Sequence, residues 1–136
     1  MRPPRKLTRD EWRHAFDRCM ICQMPVFGDV HEIARGPFRQ AALEEPAAWL
    51  YVCRTCHEGK LAAMPIADQL AIKLIHDPLH YDRVTVSILR GRAAEAVSAA
   101  DVEEALISHF GRWPQPVWPA WYKLQLEGIE DDGATP

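Results

Sequence analysis

The chain has 136 residues, the size of one compact domain with room for a helical extension. Hydrophobic residues make up 48% and charged residues 26%, which allows a packed core and excludes wholesale disorder. The net charge of −3 is uneven, with 10 Lys and Arg against 8 Asp and Glu in residues 1–60 and 6 against 11 in residues 61–136, so any contact with nucleic acid is expected from the first half.

No apolar run approaches the roughly 18 residues of a membrane span. The basic stretch Met1–Lys6 leads into no apolar segment, so no secretory signal is expected and the expected location is the cytoplasm. Thr8-Arg-Asp-Glu11 reads as a capping box, with Leu7 and Trp12 placed for a hydrophobic staple. A helix is expected over 9–18, running into Cys19. Pro25 and Gly28 mark a turn, Val30–Ile33 a short strand, and Gly36-Pro37 its end. Residues 38–48 suit a short helical turn broken at Pro46, and Trp49–Val52 a second strand. Helices are expected over 54–63 and over 65–76, the second with Ile66, Leu70, Leu74 and Ile75 as its apolar face. Val84, Ile88 and Leu89 favour a helix within 81–89 over a strand, and Ser98 caps a helix over 99–110. Trp113, Trp118 and Trp121 lie in a proline-rich tail, where packing onto the domain is favoured over stacking on bases, and residues 127–136 read as a frayed acidic end. His76, His80 and His109 read as loop or helix-end residues.

The four cysteines fall in two pairs, Cys19-Met-Ile-Cys22 and Cys53-Arg-Thr-Cys56. Two ligands three residues apart on a tight knuckle reach one ion, and two knuckles complete a tetrahedron. Thiolate sulfur suits a structural Zn²⁺, which has no geometric preference of its own. Two disulfides are disfavoured in a reducing compartment. A redox Cys-x-x-Cys normally occurs singly, on a βαβ pattern that this sequence lacks. Zinc contributes on the order of 10–16 kcal/mol in small fingers.

Between the knuckles lies Asp29-Val-His-Glu-Ile-Ala-Arg-Gly36, and the second knuckle continues as Cys53-Arg-Thr-Cys-His-Glu-Gly-Lys60. Two Cys knuckles, an intervening strand with His and acids, and a His opening the last helix together resemble the HNH, or ββα-metal, endonucleases in their Cys₄ zinc-bearing form. The resemblance covers about residues 17–62. It implies an α+β fold: a small zinc-stabilised ββα-metal, treble-clef-like finger with an N-terminal helix and a helical C-terminal extension. The corresponding division is 1–62 for the HNH-like domain, 63–110 for the helical extension and 111–136 for the Trp/Pro-rich tail.

The resemblance further implies a catalytic Mg²⁺ or Mn²⁺ ion, with His57 at the helix ligand position. Two alignments of the strand remain open. In one, His31 is a metal ligand and Glu32 stands where the base should be. In the other, His31 is the general base and Val30 falls at the ligand position, where Asp29, on the same strand face as His31, substitutes. The family's orienting Asn is replaced by Ala48, and the chain has no Asn at all. Arg35, Arg39, Arg54 and Lys60 are candidate phosphate contacts.

The expected activity is hydrolysis of DNA phosphodiester bonds, in a protein of phage or mobile-element type. The alternative is a zinc module with a decayed site that binds nucleic acid or a protein. The acidic C-terminal half is a candidate surface for a protein partner.

Overall fold

The computed structural model describes residues 7–33, 38–91, 97–109, 116 and 118–134. Among them the architecture is α+β, with seven α-helices and one two-stranded sheet. Helix α1 (Arg9–Ala15) starts at the expected capping box: Thr8 Oγ1 accepts from the Glu11 amide and Glu11 Oε1 from the Thr8 amide. It ends three residues short of expectation, because Phe16 turns extended (φ −109°, ψ 160°). Arg18 then forms a bridge with Pro25, which turns the chain back on itself around the first knuckle.

Strand β1 (Asp29–Glu32) pairs antiparallel with β2 (Trp49–Val52), with His31 opposite Leu50 and Asp29 opposite Val52. All four residues of β2 are buried, so the strand is covered on both faces. Helix α2 (Arg39–Ala42) and a 3₁₀ turn at Pro46–Ala48 connect the strands. Helix α3 (Arg54–Glu58) follows β2 directly, capped by Cys53. It is shorter than expected, and its continuation is a 3₁₀ turn at Lys60–Ala63.

Helix α4 (Ile66–His76) packs on β2 and on α6 (Ala99–His109). Its buried face differs from the expected apolar stripe. Gln69, Leu70, Ala71, Ile72, Lys73 and His76 are buried, so polar residues spaced four and three apart occupy core positions. Helix α5 (Arg83–Leu89) resolves the ambiguous segment; Asp82 Oδ1 caps it by accepting from the amides of Val84 and Thr85. The tail ends in a helix, α7 (Ala120–Ala134), where a frayed end was expected.

The core is aromatic. Trp12 sits against Phe16, Trp49 and Tyr51 at ring-centroid distances of 4.8, 5.5 and 6.2 Å, and Phe16 meets Tyr122 of α7 at 5.6 Å. Trp118 donates to the His76 carbonyl and Trp121 to the Ala15 carbonyl, so both tryptophans fasten the tail to the domain. Trp113, Gly36-Pro37 and Phe110 lie outside the described residues. No described helix is long and apolar enough to cross a membrane.

Candidate metal centre and histidine cluster

The first knuckle is a backbone turn. The Cys19 amide donates to the Met24 carbonyl and the Gln23 amide to the Cys19 carbonyl. Gln23 takes a left-handed φ of 63°, which lets the chain reverse within so few residues. The Sγ of Cys19 accepts from the amides of Ile21 and Cys22, each at 3.4 Å. In the second knuckle the Sγ of Cys53 accepts from the Cys56 amide at 3.5 Å.

The four Sγ atoms lie within 4.8 Å of one another, and no disulfide joins them. Cys22 Sγ and Cys53 Sγ are 3.8 Å apart. A tetrahedral zinc with Zn–S bonds of about 2.3 Å sets its sulfurs about 3.8 Å apart, so the donor set fits such an ion. The Cys56 amide holds the Cys53 thiol below its ordinary range, whereas burial pushes Cys22 and Cys56 up. A bound cation is what allows all four to be thiolates together. The cluster can therefore hold a metal ion such as zinc.

Next to the second knuckle, α3 presents His57 to β1. His57 Nδ1 lies 3.4 Å from Asp29 Oδ2. The rings of His31 and His57 meet edge to face at 5.3 Å. His31 Nε2 is 3.0 Å from Oε1 of Gln69 on α4. Burial disfavours the charged forms of both Asp29 and His31, with opposite outcomes. At Asp29 the hydrogen bonds from Arg54 and His57 outweigh burial and hold the carboxyl below its ordinary range. At His31 burial lowers the imidazole below its ordinary 6.5, a shift that Gln69 opposes and the charge of His57 reinforces.

A groove of about 450 Å³ opens here, lined by Arg9, Arg13, Asp29, Val30, Arg54, His57 and Glu58. Arg54 Nε donates to Asp29 Oδ2 at 2.9 Å, and Arg13 Nε to the Gly28 carbonyl at 2.7 Å. Three guanidinium groups thus share one groove with a histidine and a carboxylate. His31 lies outside the lining, its ring against that of His57. A roomier cavity of about 650 Å³ between α1 and α7 is lined by neither histidine.

The expected site residues separate into groups. Asp29, His31 and His57 come together, and Arg54 joins them. Glu32 does not: period-two alternation turns it to the other face of β1, where Arg9 Nη2 donates to its Oε2 at 2.8 Å. Its carboxylate is thus held by Arg9 rather than by the Asp29–His57 pair. Arg39 and Lys60 are exposed and lie outside the groove. Arg35 falls outside the described residues. Ala48 is fully buried, and its carbonyl accepts from the Ile33 amide at 2.7 Å.

Sequence reasoning missed Arg9, Arg13 and Gln69. The two arginines are four apart on α1 and so share a face, a signal that was readable. Gln69 lies 38 residues from His31, and nothing local announces that contact.

The chain was compared with protein-family models, curated proteins and solved structures, and none matches it.

Proposed function

We propose that this chain is a metal-dependent endonuclease of HNH type, built on a zinc-bearing, treble-clef-like ββα finger, that hydrolyses DNA phosphodiester bonds. The observation that carries the reading is the convergence of Asp29, His31 and His57 beside the Cys₄ cluster, next to a groove with three arginines. Phosphodiester hydrolysis needs a deprotonated water, neutralised phosphoryl oxygens and help for the leaving oxygen.

Asp29 and His57, with donor atoms 3.4 Å apart, fit as two protein ligands of one Mg²⁺ or Mn²⁺, an ion that keeps several waters and takes few side chains. When bound, that ion supplies charge stabilisation at the phosphoryl and leaving oxygens. The chain's own residues do the rest. His31 takes the proton from the attacking water, a role its burial favours by keeping the imidazole neutral at neutral pH. Arg9, Arg13 and Arg54 draw the phosphate into the groove. The pairing of Glu32 with Arg9 favours His31 over Glu32 as the base.

One observation favours a second reading, a zinc module that binds nucleic acid without cutting it. Arg54 already engages the Asp29 oxygen that the catalytic ion needs. Nicking of supercoiled plasmid by zinc-loaded protein separates the two. Cleavage that requires Mn²⁺ or Mg²⁺, stops with EDTA and is abolished by His31→Ala, His57→Ala or Asp29→Ala supports the nuclease. Salt-dependent DNA binding by folded protein that never cuts supports the module.

A further inference from the structure

The amide of Gln69 is fixed from both ends. Its Nε2 donates to the Met64 carbonyl at 2.9 Å, and a carbonyl only accepts. The assignment of amide nitrogen and oxygen follows from that partner. Oε1 therefore faces His31 Nε2 at 3.0 Å, and it can only accept there too. The proton must then sit on His31 Nε2, which leaves Nδ1 as the nitrogen with the lone pair. Gln69 is itself only 5% exposed. Its place on α4 ties the imidazole to the helical extension, outside the two-stranded element that carries His31.

We infer that Gln69 is a positioning residue that locks His31 in the Nε2–H tautomer and so makes Nδ1 the proton-accepting atom. Its catalytic meaning rests on the nuclease reading above; the tautomer itself does not. In this chain a helix downstream of the finger thus supplies the orienting contact that Ala48 cannot. The polar and charged groups around His31 are Gln69, His57, Glu32 and Arg90, and Gln69 hydrogen-bonds the ring. No covalent step is added: the proton taken by Nδ1 comes from the attacking water, and Nε2 keeps its own.

The first experiment needs no variant. Long-range ¹H–¹⁵N correlation on the zinc-loaded full-length chain, at a pH where the imidazole is neutral, should show His31 Nε2 as the protonated nitrogen and Nδ1 as the bare one. A protonated Nδ1 would overturn the inference whether or not the protein cuts DNA. Gln69→Leu should scramble the tautomers. An unchanged Nε2–H signal in folded Gln69→Leu also overturns it.

If the plasmid assay with Mn²⁺ shows cleavage, Gln69→Leu should lower it roughly 10- to 100-fold, the usual cost of losing a ligand's or base's orienting partner. Tautomer signals as expected, together with an absence of cleavage by the wild-type chain, would retire the nuclease reading and leave the Gln69 contact standing.

Discussion

Two hubs hold this chain together, and they solve the same problem with different materials. In the finger, four sulfurs from two distant segments converge with a metal ion as the natural centre. In the helical extension the centre is the carboxylate of Asp77, fully buried at the end of α4. Its Oδ2 accepts from Trp12 Nε1 at 2.9 Å and Lys73 Nζ at 2.7 Å, and its Oδ1 from His80 Nδ1 at 2.8 Å and from the Tyr122 hydroxyl. Lys73 Nζ donates further to the carbonyls of Pro46 and Trp49. One carboxylate thus gathers α1, α4 and α7, and through Lys73 the start of β2. The comparison teaches that a buried charge organises many elements only when every donor around it is supplied. The Cys₄ cluster can take its charge from a bound ion, whereas the extension encodes its own.

The sharpest way to break the symmetry is to remove the metal. Chelation, or Cys19→Ser together with Cys56→Ser, should unfold the finger, since structural zinc is worth on the order of 10–16 kcal/mol in zinc-finger peptides. Loss of tertiary amide signals from residues 17–58 on titration with a strong chelator checks this. Retention of those signals would show that the aromatic core alone holds the strands. The matching break in the extension is Asp77→Ala, which strands the Lys73 ammonium. Burial opposes the charge of Asp77, but Lys73 and His80 outweigh it and hold the carboxyl below its ordinary range. Removing one partner of such a buried pair costs about 3–5 kcal/mol, a large share of the roughly 5–15 kcal/mol a domain has. Urea melts should show a loss of that size. Asp77→Leu with Lys73→Met should lose much less than the two single changes together, because no charge is left unpaired.

The same contrast explains what the sequence disclosed. The finger was legible because its signals are local. Cys-x-x-Cys spacing forces a knuckle, Thr8 and Glu11 force a cap, and Trp49–Val52 reads as a strand from four residues alone. The Asp77 hub was not legible, because its donors come from positions 12, 73, 80 and 122 and each looks ordinary in its own segment. Gln69, Lys73 and His76 were hidden for a related reason. They sit at core positions of α4, but an apolar stripe is the only face that hydrophobicity can reveal. Part of the candidate site, namely Asp29, His31, His57 and Arg54, was reached through the resemblance to the HNH pattern. The rest needed tertiary contact, with Gln69 from α4 and Arg9 and Arg13 from α1.

Acid should separate the hubs more gently. His76 is 1% exposed, and neither ring nitrogen has a partner among the described residues. Burial pushes its imidazole down to about 4 from an ordinary 6.5. The folded chain keeps His76 neutral in that interval, while the unfolded chain takes up a proton near 6.5. The unfolded state therefore binds more protons between pH 6.5 and 4, and stability falls as pH drops through that window. The loss attributable to His76 approaches about 3 kcal/mol at the acid end. Falling pH also protonates thiolates and loosens zinc, so the readout is the difference between the wild type and His76→Leu, both zinc-loaded. The variant should show the shallower decline between pH 6.5 and 4. Parallel curves would mean that His76 finds a proton partner in the folded chain.

The smallest expected effect tests whether the finger depends on its ion alone. Gly28 precedes β1, where its amide donates to the Tyr51 hydroxyl at 2.7 Å and that hydroxyl donates to the Val26 carbonyl at 2.8 Å. A Cβ at position 28 would stand 2.7 Å from the Val52 carbonyl oxygen and 3.0 Å from the Tyr51 ring. Neither the strand backbone nor a fully buried ring yields easily. Gly28→Ala should therefore cost about 1–3 kcal/mol, the range for overpacked cores, with zinc still bound. Because Asp29 is the next residue, the same strain should pull its carboxylate away from His57 and, if the proposed nuclease activity is found, lower Mn²⁺-dependent nicking more than DNA binding. A chain that loses stability but keeps full nicking would show that the strand shifts as a unit with α3. A chain that loses neither would make zinc the sole organiser of the finger, and the two hubs would then differ in kind as well as in material.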